Sequence, residues 1–88
     1  MKKQNTENSG KAKEAEIMES REKIGSALRN IREKRGLSQE QLADKMNISR
    51  STISKIESGK FNCSIDYLSK FASFLSFEII LLDSQRNR

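Results

Sequence analysis

The sequence predicts an all-α fold of four to five helices, followed by one short C-terminal β-strand. Apolar residues recur at spacings of three and four between residues 17 and 75, as on one face of a helix. Gly36, Asn47 and Gly59 interrupt this pattern where successive helices would end. We therefore expect a flexible polar tail over 1–19, a helical domain over 20–76, a strand over 77–82 and a second polar tail over 83–88.

The first helix follows a polar segment. Residues 2–16 contain two alanines as their only apolar side chains, so they bury too little surface to offset the entropy of ordering. Ser20 is a suitable N-cap, and we favour a helix start there, although Ala12, Ala15 and Ile17 allow an earlier one. The apolar stripe of this helix is formed by Ile24, Ala27, Leu28 and Ile31. It is expected to end near Arg35, with Gly36 in a left-handed cap.

The second and third helices are separated by a very short turn. Ser38 and Gln41 form a capping-box pattern, which predicts helix 2 over about Gln39 to Met46. Asn47 tolerates a left-handed backbone and Ser49 can cap a new helix, so the chain is expected to turn sharply between them. Helix 3 is predicted from Arg50 to Glu57 or Ser58, ended by Gly59. Its inward-facing residues are predicted to be Ile53 and Ile56.

The fourth helix and the strand complete the predicted fold. Ser64 can cap helix 4, whose apolar residues recur at helical spacing: Ile65, Leu68, Phe71, Ala72 and Leu75. No other segment of the chain predicts a strand, so an apolar strand would leave unpaired backbone groups. We expect it to pair with the same strand of a second copy through Phe77, Ile79, Ile80, Leu81 and Leu82. The alternative is a monomer whose tail folds onto helix 4.

Composition limits the chemistry that this chain can perform. Of the net charge of +5, residues 17–75 carry +4, from eleven basic and seven acidic side chains. Such a surface attracts phosphate polyanions, although charge of this kind is more often only a solvated face. The sequence has no histidine and one cysteine, which excludes an intrachain disulfide, a zinc finger and histidine-dependent catalysis. We expect no enzyme activity, no cofactor and no metal.

Two smaller features are interpreted in the same way. Cys63 is either a reactive thiol or a small residue at a loop-to-helix junction, and we favour the second interpretation. The longest apolar run, Ile79 to Leu82, is too short for a membrane span, and no secretory signal follows the basic N-terminus. We therefore expect a cytoplasmic protein with no membrane contact.

The segment LSQEQLADKMNISRSTISKIESGK, from Leu37 to Lys60, resembles the helix-turn-helix of the phage repressor and Cro-like (XRE) family. The resemblance covers about residues 24–76 and includes the Arg32-x-x-x-Gly36 lead-in. It implies a lambda-repressor-like domain that binds double-stranded DNA through helix 3. Family members often carry proline before helix 4 and glycine after it. This chain has Cys63 and Ser76 there, so the geometry of those two turns is not given by the resemblance.

The resemblance also implies roles for individual residues. Base-facing positions are Arg50, Ser51, Ser54 and Lys55. An arginine such as Arg50 can donate two hydrogen bonds to guanine, whereas Lys55 contacts either guanine or a phosphate. Contacts to the DNA backbone are implied for Gln39, Ser49, Thr52, Lys60 and Asn62. For Ser49, a role as a helix cap alone is equally compatible. Arg32 and Glu57 resemble a structural ion pair that ties helix 1 to helix 3.

Three functions follow from the resemblance. The first is a homodimeric transcriptional repressor that binds an inverted repeat, with half-sites about one helical turn apart. With no separate ligand domain in the sequence, its regulation is expected to come from abundance, proteolysis or a protein partner. The second is an antitoxin of a type II toxin-antitoxin pair, which neutralises a toxin and represses its own operon. The third is a controller protein of a restriction-modification system.

Overall fold

The structure is a computed structural model that describes the backbone of residues 2–85 and the side chains of residues 13–85. Over this part of the chain it contains four helices and no strand, which confirms the all-α prediction. The helices are α1 (Lys2–Lys34), α2 (Gln39–Met46), α3 (Arg50–Glu57) and α4 (Ile65–Leu75). None of them is long and apolar enough to cross a bilayer.

One core lies between the four helices. Its buried apolar residues are Leu28, Leu42, Ala43, Met46, Ile53, Ile56, Phe71 and Leu75. Three predicted core positions are wrong: Ile65 is 68% exposed, and Ile24 and Ala27 are also exposed. Ile65 is the first residue of α4 and lies at the rim of the core, where no neighbouring helix covers it. The fold therefore needs fewer α4 side chains than the helical spacing indicates.

Helix α1 faces the core with a stripe that agrees only in part with the predicted one, since Leu28 is buried and Ile31 packs against the core. Gly25, Leu28 and Arg32 are buried, at spacings of three and four, whereas Ile24 is exposed. A Cβ atom on Gly25 would lie 2.4 Å from the carbonyl oxygen of Ile56, so only glycine lets α1 approach α3 this closely. Hydrophobic periodicity missed this face because glycine and arginine are not apolar.

The start of α1 is the largest difference from the predicted fold. The helix begins at Lys2 rather than near Ser20 and is 33 residues long. Alanine, glutamate and lysine are good helix formers, and extending an existing helix avoids the cost of nucleation. Every side chain from residue 13 to residue 20 is exposed, so this part of α1 adds nothing to the core. The flexibility predicted for residues 1–19 stays a prediction.

The other helix boundaries follow their predicted signals. Ser38 and Gln41 form the complete capping box of α2, and Ser49 and Ser64 cap α3 and α4. Gly36 takes a left-handed φ of 73° two residues after the end of α1. Asn47 takes a left-handed φ of 58° at the end of α2, which is the sharp turn that the sequence predicts.

The C-terminal segment 77–82 is not a strand in the single chain. Phe77 is half-buried against the core, and its N–H donates to the carbonyl oxygen of Ala72 at 3.2 Å. From Ile79 to Leu82 the side chains are exposed. The predicted fold-back onto α4 is thus limited to Phe77. Of the predicted polar tail, residues 83–85 are described and exposed, and residues 86–88 lie outside the described residues.

Candidate nucleic-acid interface

The α2–α3 corner is fixed by its own backbone. The N–H of Ile48 donates to Ala43 at 3.0 Å, and Ser49 Oγ accepts the N–H of Thr52 at 3.1 Å. Because the left-handed Asn47 lies inside the turn that the first bond closes, three residues suffice to redirect the chain. The corner therefore holds α3 in one orientation against α2, as a recognition helix requires.

Helix α3 has two faces with different environments. Ile53, Ile56 and Glu57 are buried and join the core and its ion pair. The four residues implied to contact bases are all exposed on this helix: Arg50, Ser51, Ser54 and Lys55. They form two pairs four residues apart, so they lie on adjacent turns of one face. The structure thus brings the four together on a surface that has no role in packing.

This exposed face is positively charged. Among the residues that the structure describes, neither Arg50 nor Lys55 forms a salt bridge, because the two salt bridges present are Arg29–Glu33 and Arg32–Glu57. Their charges are therefore not neutralised within the chain. A convex, cationic helix face with short polar side chains fits the major groove of DNA.

The residues implied to contact the DNA backbone differ in their exposure and in the hydrogen bonds that they already form. Lys60 and Asn62 are exposed in the loop after α3, whereas Thr52 is half-buried. Ser49 Oγ caps α3 and also lies 2.8 Å from Thr52 Oγ1, which fits the interpretation of Ser49 as a cap. Gln39 is half-buried at the start of α2, and its Nε2 donates to Glu57 Oε1 at 3.0 Å. The last contact was not evident from the sequence.

Arg32 and Glu57 form the ion pair that the resemblance implies. Arg32 Nε donates to Glu57 Oε2 at 2.6 Å, and its second terminal nitrogen donates to Oε1 at 3.0 Å. The remaining guanidinium nitrogen donates to the carbonyl oxygen of Leu37 at 2.7 Å. The hydrogen bond with Glu57 raises the pKa of Arg32, so the pair stays charged. With Gln39 it joins the first three helices behind the exposed face of α3.

The two turns that the resemblance left open now have defined geometries. Ser76 takes the left-handed conformation, φ 60°, at the end of α4, where the family often has glycine. Arg35 supports this turn by donating to the carbonyl oxygens of Leu75 and Ser76. Cys63 is half-buried before α4, and burial raises the pKa of its thiol, which disfavours the reactive thiolate. This agrees with a structural role for Cys63.

Comparison with known proteins identifies the family. The sequence profile of the helix-turn-helix family matches residues 28–82. An immunity repressor protein of Bacillus phage phi105 is 38% identical over 56 residues, which are 64% of this chain and 39% of that protein. The chain thus spans about two-fifths of that relative's length.

A solved structure is similar over most of the same region. The restriction-modification controller protein C.AhdI from Aeromonas hydrophila is 37% identical and superposes with a TM-score of 0.64, covering 67% of this chain and 89% of that one. The profile match includes the whole α2–α3 corner. The chain therefore belongs to the helix-turn-helix family of DNA-binding regulators, of the phage repressor and Cro-like (XRE) type.

Proposed function

We propose that this protein is a transcriptional repressor that binds double-stranded DNA sequence-specifically, as a homodimer on an inverted repeat. The observation that carries the proposal is the exposed face of α3. Arg50, Ser51, Ser54 and Lys55 lie there, clear of the core, on a helix whose other face is locked by packing and by a buried ion pair. The role is one of binding and involves no catalysis.

In this proposal the exposed face of α3 contacts the bases, and residues around it contact the DNA backbone. Arg50 donates two hydrogen bonds to guanine O6 and N7, a contact that contributes about 1–3 kcal/mol of base discrimination. Lys60 and Asn62, in the loop that follows α3, bind phosphates and place the helix without selecting a sequence. Gln39 joins them because its amide nitrogen carries two N–H groups, and Glu57 takes only one of them.

The homodimer is proposed from the apolar surface at the C-terminus. Ile79 to Leu82 are exposed, and Phe74 of α4 is exposed as well. Pairing this segment with its copy across a two-fold axis would satisfy its backbone groups and bury these side chains, at about 1.5–3 kcal/mol for each one fully buried. A two-fold dimer would present two α3 helices to half-sites about 34 Å apart.

A second candidate function is a controller of a restriction-modification system. It is supported by the likeness to C.AhdI, a protein of that kind, which this chain matches over 89% of its length. An antitoxin is the remaining alternative, in which the exposed C-terminal segment binds a toxin. Genes for a methyltransferase and an endonuclease beside this gene would favour the controller, and a toxin gene beside it would favour the antitoxin.

The test of the proposed function is selection of the purified protein against random duplex DNA at physiological salt. We expect an enriched inverted repeat whose half-sites lie one helical turn apart. Arg50→Ala combined with Lys55→Ala should abolish enrichment, whereas Arg29→Ala, which removes an arginine from an exposed pair on α1, should preserve it. No enrichment by the folded wild-type protein would contradict the proposal.

A further inference from the structure

Arg35 connects two parts of the domain that are far apart in sequence. It follows α1 directly, and its backbone N–H donates to the carbonyl oxygen of Ile31 at 3.0 Å, so its own position is set by that helix. Its Nε donates to the carbonyl oxygen of Leu75 at 2.8 Å, and one terminal nitrogen donates to that of Ser76 at 3.1 Å. The guanidinium thereby joins the end of α1 to the end of α4.

These two bonds supply hydrogen-bond donors and a positive charge to the carbonyl groups at the end of α4. The last carbonyl groups of a helix have no partner within the helix, and a cation near them is favourable. The last turn of α4 contains no basic residue, and the cation comes instead from Arg35, which follows α1. Bonds from a charged donor are also stronger than neutral ones, and a planar fork fixes direction as well as distance.

The carbonyls that Arg35 binds lie at the start of the C-terminal segment. Ser76 has the left-handed backbone that redirects the chain, and Phe77 is held by its N–H bond to Ala72 and by packing on the core. The exposed apolar residues begin two positions later, at Ile79. The direction in which this segment leaves the domain is therefore set at Ser76, with Arg35 on one side and the core on the other.

We propose that Arg35 is a positioning residue that fixes the angle between the C-terminal segment and the α2–α3 corner, and so sets the half-site spacing that the dimer accepts. This inference rests on the proposed DNA-binding dimer. Adding one base pair between half-sites moves them apart by about 3.4 Å and rotates them by roughly 35°. If the C-terminal segment leaves the domain at a fixed angle at Ser76, the two domains of the dimer cannot rotate to match the new spacing. If that angle is variable, they can.

The experiment uses the full chain with wild-type protein, Arg35→Gln, Arg35→Lys and Arg29→Gln. Arg29→Gln is the matched control because it removes the same charge from an exposed pair on the same helix. Affinity is measured for a single half-site and for inverted repeats whose spacers differ by one or two base pairs. Dimerisation is followed by analytical ultracentrifugation, and folding by thermal unfolding.

We expect the wild type and Arg29→Gln to prefer the best spacer about tenfold over its neighbours. Arg35→Gln should reduce this preference to about twofold and leave single half-site affinity unchanged. Arg35→Lys keeps the charge but not the fork, so it should be intermediate. If Arg35→Gln lowers the melting temperature more than the control does, the inference is tested instead by the spacer preference of Arg35→Lys.

Three results would overturn the inference. An unchanged spacer profile in both Arg35 variants would show that Arg35 has no effect on spacing. Weaker binding to a single half-site, with a smaller dependence on salt, would show that Arg35 contacts a phosphate. A wild type that is monomeric or does not bind a half-site would refute the proposed function, and this inference with it. That last failure is separable because it appears without any substitution.

Discussion

The α2–α3 corner and the C-terminal segment are both rich in aliphatic side chains, but in the single chain those of the corner are buried and most of those of the segment are exposed. Leu42 and Ile53 of the corner are fully buried, whereas Leu81 of the segment is 94% exposed. The corner also has its caps, its turn and its ion pair within the chain. The packing, capping and charge pairing that stabilise the corner are therefore all found within one molecule. The C-terminal segment exposes apolar side chains from Ile79 to Leu82, and in the proposed homodimer a second molecule would cover them.

The largest expected effect lies at the ion pair behind the corner. Glu57→Ala leaves the guanidinium of Arg32, whose side chain is 7% exposed, buried without its carboxylate. We expect the free energy of unfolding to fall by about 3–5 kcal/mol, measured by urea denaturation. The control is Glu33→Ala, which breaks the exposed pair with Arg29 and should cost less than about 1 kcal/mol. Similar losses of unfolding free energy for the two variants would show that the buried ion pair stabilises the fold no more than the exposed one.

The next effect tests whether the C-terminal segment is completed by a second copy. Ile80→Asp should raise the dissociation constant of the dimer by about tenfold or more, because it places a charge on apolar surface that the proposed dimer would bury. The isolated domain should stay folded. Ile65→Asp is the matched control, since Ile65 and Ile80 are both 68% exposed, but Ile65 lies at the start of α4. A dimer undisturbed by Ile80→Asp in sedimentation equilibrium would refute pairing through this segment.

An effect of comparable size separates the two kinds of DNA contact around the corner. Arg50→Ala should relax specificity at one base position in each half-site, by about 1–3 kcal/mol. Lys60→Ala should weaken binding to all sequences about equally and reduce the salt dependence. Both residues are exposed, so neither change should lower the melting temperature. Identical effects on a panel of operator variants would show that the division into base and phosphate contacts is wrong.

The smallest effect is expected in the first half of α1. Ile17 is about half exposed, and it lies in the stretch from residue 13 to residue 20 in which every side chain is exposed. Ile17→Ser should change the free energy of unfolding by no more than about 0.5 kcal/mol. Leu28→Ala, on the buried face of the same helix, should cost about 2–5 kcal/mol. A large loss from Ile17→Ser in thermal unfolding would mean that this stretch packs on the domain.

Helices α2, α3 and α4 were predicted with their observed boundaries because their signals are local. A capping serine acts on an N–H group three residues away, and Asn47 acts through its own backbone angles. The start of α1 was misplaced because a missing cap does not stop a helix that already exists. Gly25 was missed because its importance depends on a backbone approach that no periodicity encodes.

By itself, the sequence determined the helical class, the α2–α3 corner and the polar outer face of α3, because these depend on residues within a few positions of one another. Resemblance, rather than spacing, supplied the Arg32–Glu57 pair. Tertiary structure alone decided which face of α1 is buried, that Gln39 joins the ion pair, and that Arg35 holds the end of α4. Those last contacts span 18 and 40 residues, and which side chains meet across such distances is set by how the helices pack.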